Sequence, residues 1–504
     1  MTVQTAAHYH AIAGRITLSG RAFIDGAFAA ASGGAVMETV NPATGEILAA
    51  VAHCQTADVD RAVAAARRAF RDGSWSRCAP ERRKAVLLRL AGLIRVHSEE
   101  LAVLESLDSG KPIRDCLKEI GTEVPDTIQW YAELIDKSFG KVAPTGEDAL
   151  ALITREPIGV VGAVLPWNFP LLMAAWKLGP ALASGCSVVV KPAEQTSLSL
   201  LRLAELSIEA GLPAGVLNVV PGLGETTGRA LGLHMDIDAV AFTGSTDVGR
   251  LFLRYAADSN LKTIGLEMGG KSPFIVLDDA ELSPELIDNA VMSAFWNGGQ
   301  NCSANMRQIV ARSRQEEYLH RIVERTSELV IGDPLDPRTD LGPMVTRDHR
   351  ARVQGHIESG YREGARCAFT GDTPLSEGPG SFLGPIVFAD LSPDMGIARE
   401  EIFGPVLGVL PVDDMEQALA LADASEYGLH ATVYTRDIDR ALSVSRRLAC
   451  GTVAINGFTE GDIKTPFGGY RQSGSLSRDK GTEAMAQYLQ TKTTWIAIRR
   501  PFAD

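Results

Sequence analysis

The sequence predicts an α/β protein built from two parallel-sheet domains, and three observations carry that expectation. The chain has 504 residues, 45% of them hydrophobic, which is more than one core holds, so two or more domains are expected. Between Val160 and Glu267, short apolar runs alternate with helical segments, the pattern of βαβ units whose sheet is buried on both faces. A second alternating region follows from about Phe274 to Asn456. No internal repeat or low-complexity segment interrupts this order, and the hydrophilic step at 143–148 is the clearest break before the first βαβ region.

Taken in order, the chain opens with hairpin signals at 23–28 and an Asn-Pro turn at 41–45. From Thr56, the apolar residues Val59, Ala62, Val63, Ala66 and Phe70 recur at helical spacing. Pro80 opens a second helix through Leu87, Leu90 and Ile94, and a third runs from Ser98 to a stop near Gly110 and Pro112. Their charged faces read as solvated surface. Strands are expected at 160–165, 187–191, 216–220 and 239–243, and in the second region at 406–412, 431–434 and 452–455. Helices there are expected at 286–295 and 316–330.

Composition narrows the functional class. The net charge of −13 is spread along the chain, which argues against nucleic acid or an anionic membrane face as a partner. No apolar run approaches the roughly 20 residues that span a bilayer, and the first residues lack a basic segment followed by an apolar block, so a cytoplasmic location is expected. Seven cysteines without a Cys-x-x-Cys pair signal neither a disulfide framework nor a zinc site, and no metal is expected.

One cysteine stands out. Cys302 lies in the stretch Asn297 to Arg307, among small and amide residues that would leave it accessible. With Glu267 and Asn168 it would make an acyl-transfer site of nucleophile, base and oxyanion donor. Two glycine clusters fall at expected strand-to-helix turns, one containing Gly224 and Gly228, the other Gly244, Ser245 and Gly249. Such turns favour a phosphate, although neither matches the dinucleotide fingerprint as written. Lys191-Pro-Ala-Glu194 ends another strand and reads either as a surface ion pair or as a ribose site. A carboxylate there holds ribose hydroxyls and repels a 2′-phosphate, favouring NAD over NADP.

Seven motifs in register carry a resemblance: Pro166-Trp-Asn-Phe-Pro170, Lys191-Pro-Ala-Glu194, Phe242-Thr-Gly-Ser-Thr246, Glu267-Met-Gly-Gly-Lys271, Gly299-Gln-Asn-Cys302, Glu400-Glu-Ile-Phe-Gly-Pro405 and Pro466-Phe-Gly-Gly-Tyr470. Together they resemble the aldehyde dehydrogenase superfamily over roughly residues 23–498. The resemblance implies an NAD-binding domain (1–146 and 160–266), a catalytic domain (267–478) and a small bridging sheet for oligomerisation (147–159 and 479–504), with a homodimer or homotetramer as the assembly. It implies that Cys302 attacks the aldehyde, that Asn168 and the cysteine N–H hold the oxyanion, and that Glu267 activates water, with Lys177 a proton relay or a structural residue. Cofactor contacts would come from Trp167, Lys191, Glu194, Ser245 and the turn glycines, with Glu401 and Phe403 placing the nicotinamide. Phe169, Trp176, Phe458, Glu460, Asp462 and Phe467 would line the substrate pocket.

The resemblance is closer to the gamma-glutamyl-gamma-aminobutyraldehyde dehydrogenase group of polyamine breakdown, through Trp130 to Asp136, Trp176 to Pro180 and Glu460 to Ile463. Glu460 or Asp462 is therefore expected at the substrate mouth, favouring an aldehyde with a distant nitrogen. A broad-specificity aldehyde dehydrogenase, an acyl transfer to coenzyme A and a silent binding relative stand as alternatives. Departures from the family pattern are Met268 for leucine, His349 at a position that often carries a cofactor-contacting glutamine, and Ser475-Leu-Ser477 in place of a short glycine-containing link.

Overall fold

The computed structural model describes residues 4–17, 19–373, 375 and 378–498. The outer ends of the expected terminal segments, 1–3 and 499–504, lie outside the described residues.

The first sheet is built from buried strands joined through helices. Its five parallel strands lie in the order Thr263–Met268, Ala239–Gly244, Val160–Val164, Ser187–Lys191, Leu217–Val219, and the hairpin Ala22–Ile24 with Ala27–Ala29 closes one edge antiparallel. Chain order reverses between Val160–Val164 and Ala239–Gly244, so a crevice opens beyond their carboxyl ends. Every residue of Val160–Val164 and Ser187–Lys191 is buried, as a sheet covered on both faces requires. The helix Pro170–Ser184 that follows the first of these strands is buried along its whole length. The expected amphipathic helices are Thr56–Asp72, Pro80–Val96 and Ser98–Ser109.

The second sheet runs Arg366–Thr370, Ile386–Ala389, Val406–Val412, Arg307–Ala311, Pro273–Val276, His430–Tyr434, Thr452–Ile455. All its pairings are parallel except that of the edge strand Arg366–Thr370. Only residues 269–272 separate the last strand of the first sheet from Pro273–Val276 in the second. The expected domain boundary at 266/267 thus falls inside the strand Thr263–Met268.

A third, antiparallel sheet joins Leu489–Ala497, Ala149–Pro157 and Lys141–Ala143. The first two coincide with the expected bridging segments; the third lies N-terminal to them. Its outer strands leave Trp495, Ile496 and Val142 exposed. Among the described residues, no helix is long and apolar enough to cross a membrane.

Candidate active site

The loop that carries Cys302 is shaped by backbone that few residue types adopt. Asn297, Gly298 and Gly299 all have positive φ, at 52°, 64° and 72°, and a side chain on Gly299 would collide with the Gly404 carbonyl, so glycine is needed there. This turn follows the helix Pro284–Phe295 and delivers Cys302 ahead of the strand Arg307–Ala311. Amide side chains then tie it to the first sheet's crevice. Asn168 Nδ2 donates to the Gln300 carbonyl at 3.0 Å, and Asn297 Nδ2 donates to the Asn168 carbonyl at 3.2 Å. Cys302 and Asn168 therefore border the same space from different sheets.

That space is one continuous cavity of about 1010 Å³. At one end stand Cys302, Glu267 and Asn168, with Phe169, Trp176, Phe467 and Glu460 forming the wall beside them. The rings pack edge to face, Trp176 on Phe467 at 5.3 Å, while Phe169 meets Trp296 at 5.0 Å. Glu267 ends the strand Thr263–Met268 and is buried, with Oε1 lacking a hydrogen-bond partner. Burial, together with the nearby Asp479 and Glu460 carboxylates, pushes its carboxyl well above the usual range. The neighbouring Leu266 packs into the core with Phe242 and Phe252. Burial likewise pushes the Cys302 thiol well up, reinforced by Glu460, Glu267 and Glu401. Both shifts favour the protonated form over the charged one.

The opposite arm of the cavity is bounded by Lys191, Glu194, Gly224, Gly228, Gly244 and Ser245. Lys191 Nζ donates to Glu194 at 3.1 Å and to the Pro192 carbonyl at 2.9 Å. Gly224 faces open space, and Ser245 caps the helix Thr246–Ala257, whose N-terminal N–H groups favour a phosphate. These features, with the length of the cavity, fit a dinucleotide. Between the two arms, Glu401 accepts the Gly270 N–H at 3.0 Å and its carboxyl is pushed up to about 7 by burial. Phe403 and Trp167 stand edge to face at 5.3 Å beside it.

Four expected site residues lie elsewhere. Gly249 sits under Met268, where a Cβ would collide with the sulfur, so its smallness serves helix-on-strand packing rather than a ligand. Asp462 is exposed and paired with Lys464 at 2.9 Å. Phe458 stacks edge to face on His430 at 5.5 Å, away from the cavity. Lys177 is buried behind Glu267 and bonds Asp479 at 2.8 Å. His349 also stays off the cavity wall: Nε2 donates to the Phe403 carbonyl at 2.7 Å and Nδ1 accepts from Arg352 at 2.8 Å. Burial first, then Arg352, pushes this imidazole down to about 4, so it is neutral.

Sequence reasoning missed several participants. Ser303, next to the cysteine, donates its hydroxyl to Glu460 Oε1. Lys480 is buried, donates to the Glu460 carbonyl at 2.7 Å and lies 5.0 Å from the Trp176 ring. Arg352 lines the cavity near Glu401. A lysine directly after Arg478-Asp479 was a usable signal, because a charged side chain beside an aromatic floor invites a cation–π contact. Beneath Phe169 lies an ionic cluster: Lys111 Nζ bonds Glu105 at 2.7 Å and also Glu119, and Glu105 accepts the Leu171 N–H at 3.0 Å.

Known proteins resemble this chain over nearly its whole length. The sequence profile described as the Aldehyde dehydrogenase family matches residues 28–494. The aminoacetaldehyde dehydrogenase of Pseudomonas aeruginosa is 53% identical over 97% of this chain and 98% of its own. The crystal structure of a gamma-glutamyl-gamma-aminobutyraldehyde dehydrogenase from Burkholderia cenocepacia superposes with a TM-score of 0.96 at 48% identity, covering 98% of this chain and all of that one. The indole-3-acetaldehyde dehydrogenase of P. syringae, in complex with NAD+ and IAA, also gives a TM-score of 0.96, at 45% identity and the same coverage.

Proposed function

The chain belongs to the aldehyde dehydrogenase family and is an NAD(P)-dependent enzyme, and from that premise we propose that it oxidises an aldehyde bearing a distal amino or amide nitrogen to its carboxylic acid. The observation that carries this reading is the placement of Glu460 in the same cavity as Cys302, Glu267 and Asn168. The names of the relatives point the same way, toward aminoacetaldehyde and a gamma-glutamyl aminoaldehyde.

The residues divide the work as follows. Cys302 loses its proton and its sulfur adds to the carbonyl carbon; the Asn168 amide and the Cys302 N–H hold the resulting oxyanion, each such donor worth about 3 kcal/mol. Nicotinamide, when bound by Lys191, Glu194, Ser245, Glu401 and Phe403, supplies the acceptor for the hydride that leaves the adduct. Glu267, in its ionised form, then takes a proton from water, which attacks the thioester on Cys302, and the burial that raises its carboxyl makes that carboxylate a stronger base. Lys177, bonded to Asp479, would serve as a proton relay or as a structural residue. Glu267 in this cavity favours hydrolysis over transfer to coenzyme A, and the ratio of free acid to acyl-CoA product measures that. We take residues 1–146 and 160–266 as the cofactor domain and 267–478 as the catalytic domain. The exposed apolar residues of the third sheet support a homodimer or homotetramer; light scattering at the monomer mass of 53.8 kDa would rule both out.

The substrate reading is tested with matched aminoaldehydes and alkyl aldehydes, each assayed with NAD and NADP. Glu460→Gln is expected to lower kcat/KM for the aminoaldehyde selectively. An unchanged ratio between the two substrates would sink the role given to Glu460.

A further inference from the structure

Glu460 does more than face the substrate end of the cavity. Its carboxylate is tied through Ser303 Oγ to the residue beside the nucleophile, and Ser303 is wholly buried. Its backbone is pinned from the other side by Lys480, whose ammonium donates to the Glu460 carbonyl at 2.7 Å and to the Gly461 carbonyl at 3.4 Å. Lys480 is itself fixed between the Trp176 ring at 5.0 Å and the Phe467 ring at 5.3 Å. A loop residue is thus held at both its side chain and its backbone, in the same cavity as the sulfur.

The ionisable side chains that raise the Cys302 thiol are carboxyls. Glu267 approaches from the end of Thr263–Met268, Glu401 from the loop after Gly396–Arg399, and Glu460 from the loop after Thr452–Ile455. The cations nearby are committed elsewhere, Lys177 to Asp479 and Lys480 to backbone carbonyls. Each carboxylate opposes a thiolate, and Glu460 is the largest charged contributor to the raised thiol.

We propose that substrate recognition and nucleophile activation are coupled through Glu460: a cationic group of the substrate that pairs with this carboxylate cancels its repulsion and lets Cys302 ionise. The S–H bond breaks heterolytically, the electron pair stays on sulfur, and the proton leaves through the cavity to solvent. Lys480 acts as a positioning residue that keeps Glu460 within range. This inference rests on the aminoaldehyde reading above and adds that the enzyme arms its sulfur when a cationic substrate is present.

The test is the pH dependence of Cys302 alkylation by iodoacetamide, followed by peptide mass spectrometry on the full chain with NAD present. n-Propylammonium serves as the cationic probe and 1-propanol as its neutral match. In the wild type, propylammonium is expected to lower the apparent thiol pKa by on the order of one unit, a roughly tenfold faster alkylation below it, and 1-propanol to leave it unchanged. Glu460→Gln should start from the lowered value and not respond, Glu460→Asp should retain the response, and Lys480→Met should weaken it. Identical profiles for wild type and Glu460→Gln, or equal responses to both probes, overturn the coupling. If Glu460→Gln loses aminoaldehyde preference while its alkylation profile matches the wild type, recognition stands and coupling falls. If the profile shifts with no change in preference, the substrate reading falls and the coupling to substrate with it.

Discussion

Glu267 sits at a strand end with one carboxyl oxygen unpartnered and its acidity suppressed by burial. Glu267→Gln keeps the volume and the packing but cannot accept a proton. The expected outcome is a loss of steady-state acid formation of about 10²–10⁴-fold with a persisting first-turnover burst of NADH, read by stopped flow. Histidines give a second prediction. His349 and His430 are buried and pushed down to about 4 by that burial. The unfolded chain then binds more protons than the folded one between about pH 6.5 and pH 4. Stability is full above that window and falls as pH drops through it, by up to roughly 3 kcal/mol for each imidazole. Thermal melts at pH 7 and pH 4.5 check the sign, and His430→Gln should flatten the slope. At this scale Cys302, Glu267 and Asn168 could be found in the sequence because each lies in a short string whose turn and strand chemistry is local. Asp462 could not be separated from Glu460 that way, since two residues in a loop decide their directions through contacts with Lys464 and Ser303, which lie at different distances along the chain.

Elements explain why one glycine expected at the cofactor, Gly249, lies off the cavity wall. Gly249 lies on the helix Thr246–Ala257, and its missing Cβ lets that helix settle against Met268 on the neighbouring strand. Gly249→Ala is expected to cost about 1–3 kcal/mol of stability through overpacking, seen as a lower denaturant midpoint, and a cofactor affinity altered without loss of stability would contradict it. Strand and helix positions were readable because period-2 and period-3.6 patterns are set by which face is buried. The strand Lys141–Ala143 escaped because it is short and largely exposed, and its place is set by pairing with Ala149–Pro157 rather than by its own pattern. The cluster of Lys111, Glu105 and Glu119 was equally silent, since its members come from a helix, a connection and a following helical turn, and charged residues so spaced read as solvated until the fold covers them.

Across the whole molecule, the nucleophile and the base belong to different sheets. Glu267 ends a strand of the first, Cys302 precedes a strand of the second, and residues 269–272 are the covalent link. Two parallel-sheet units were foreseeable from two alternating stretches of sequence; the seam between them was not, because it is made by contacts such as Asn168 to Gln300 that join residues 132 positions apart. That seam makes turnover a gauge of alignment. A slip of an ångström between the sheets separates base from sulfur while leaving each core intact. In a denaturant titration, turnover is therefore expected to vanish before far-UV circular dichroism changes, and coincident midpoints would show that the sheets part only when they melt. Four residues, Gly-Gly-Lys-Ser, thus carry the covalent burden of keeping base and sulfur in register.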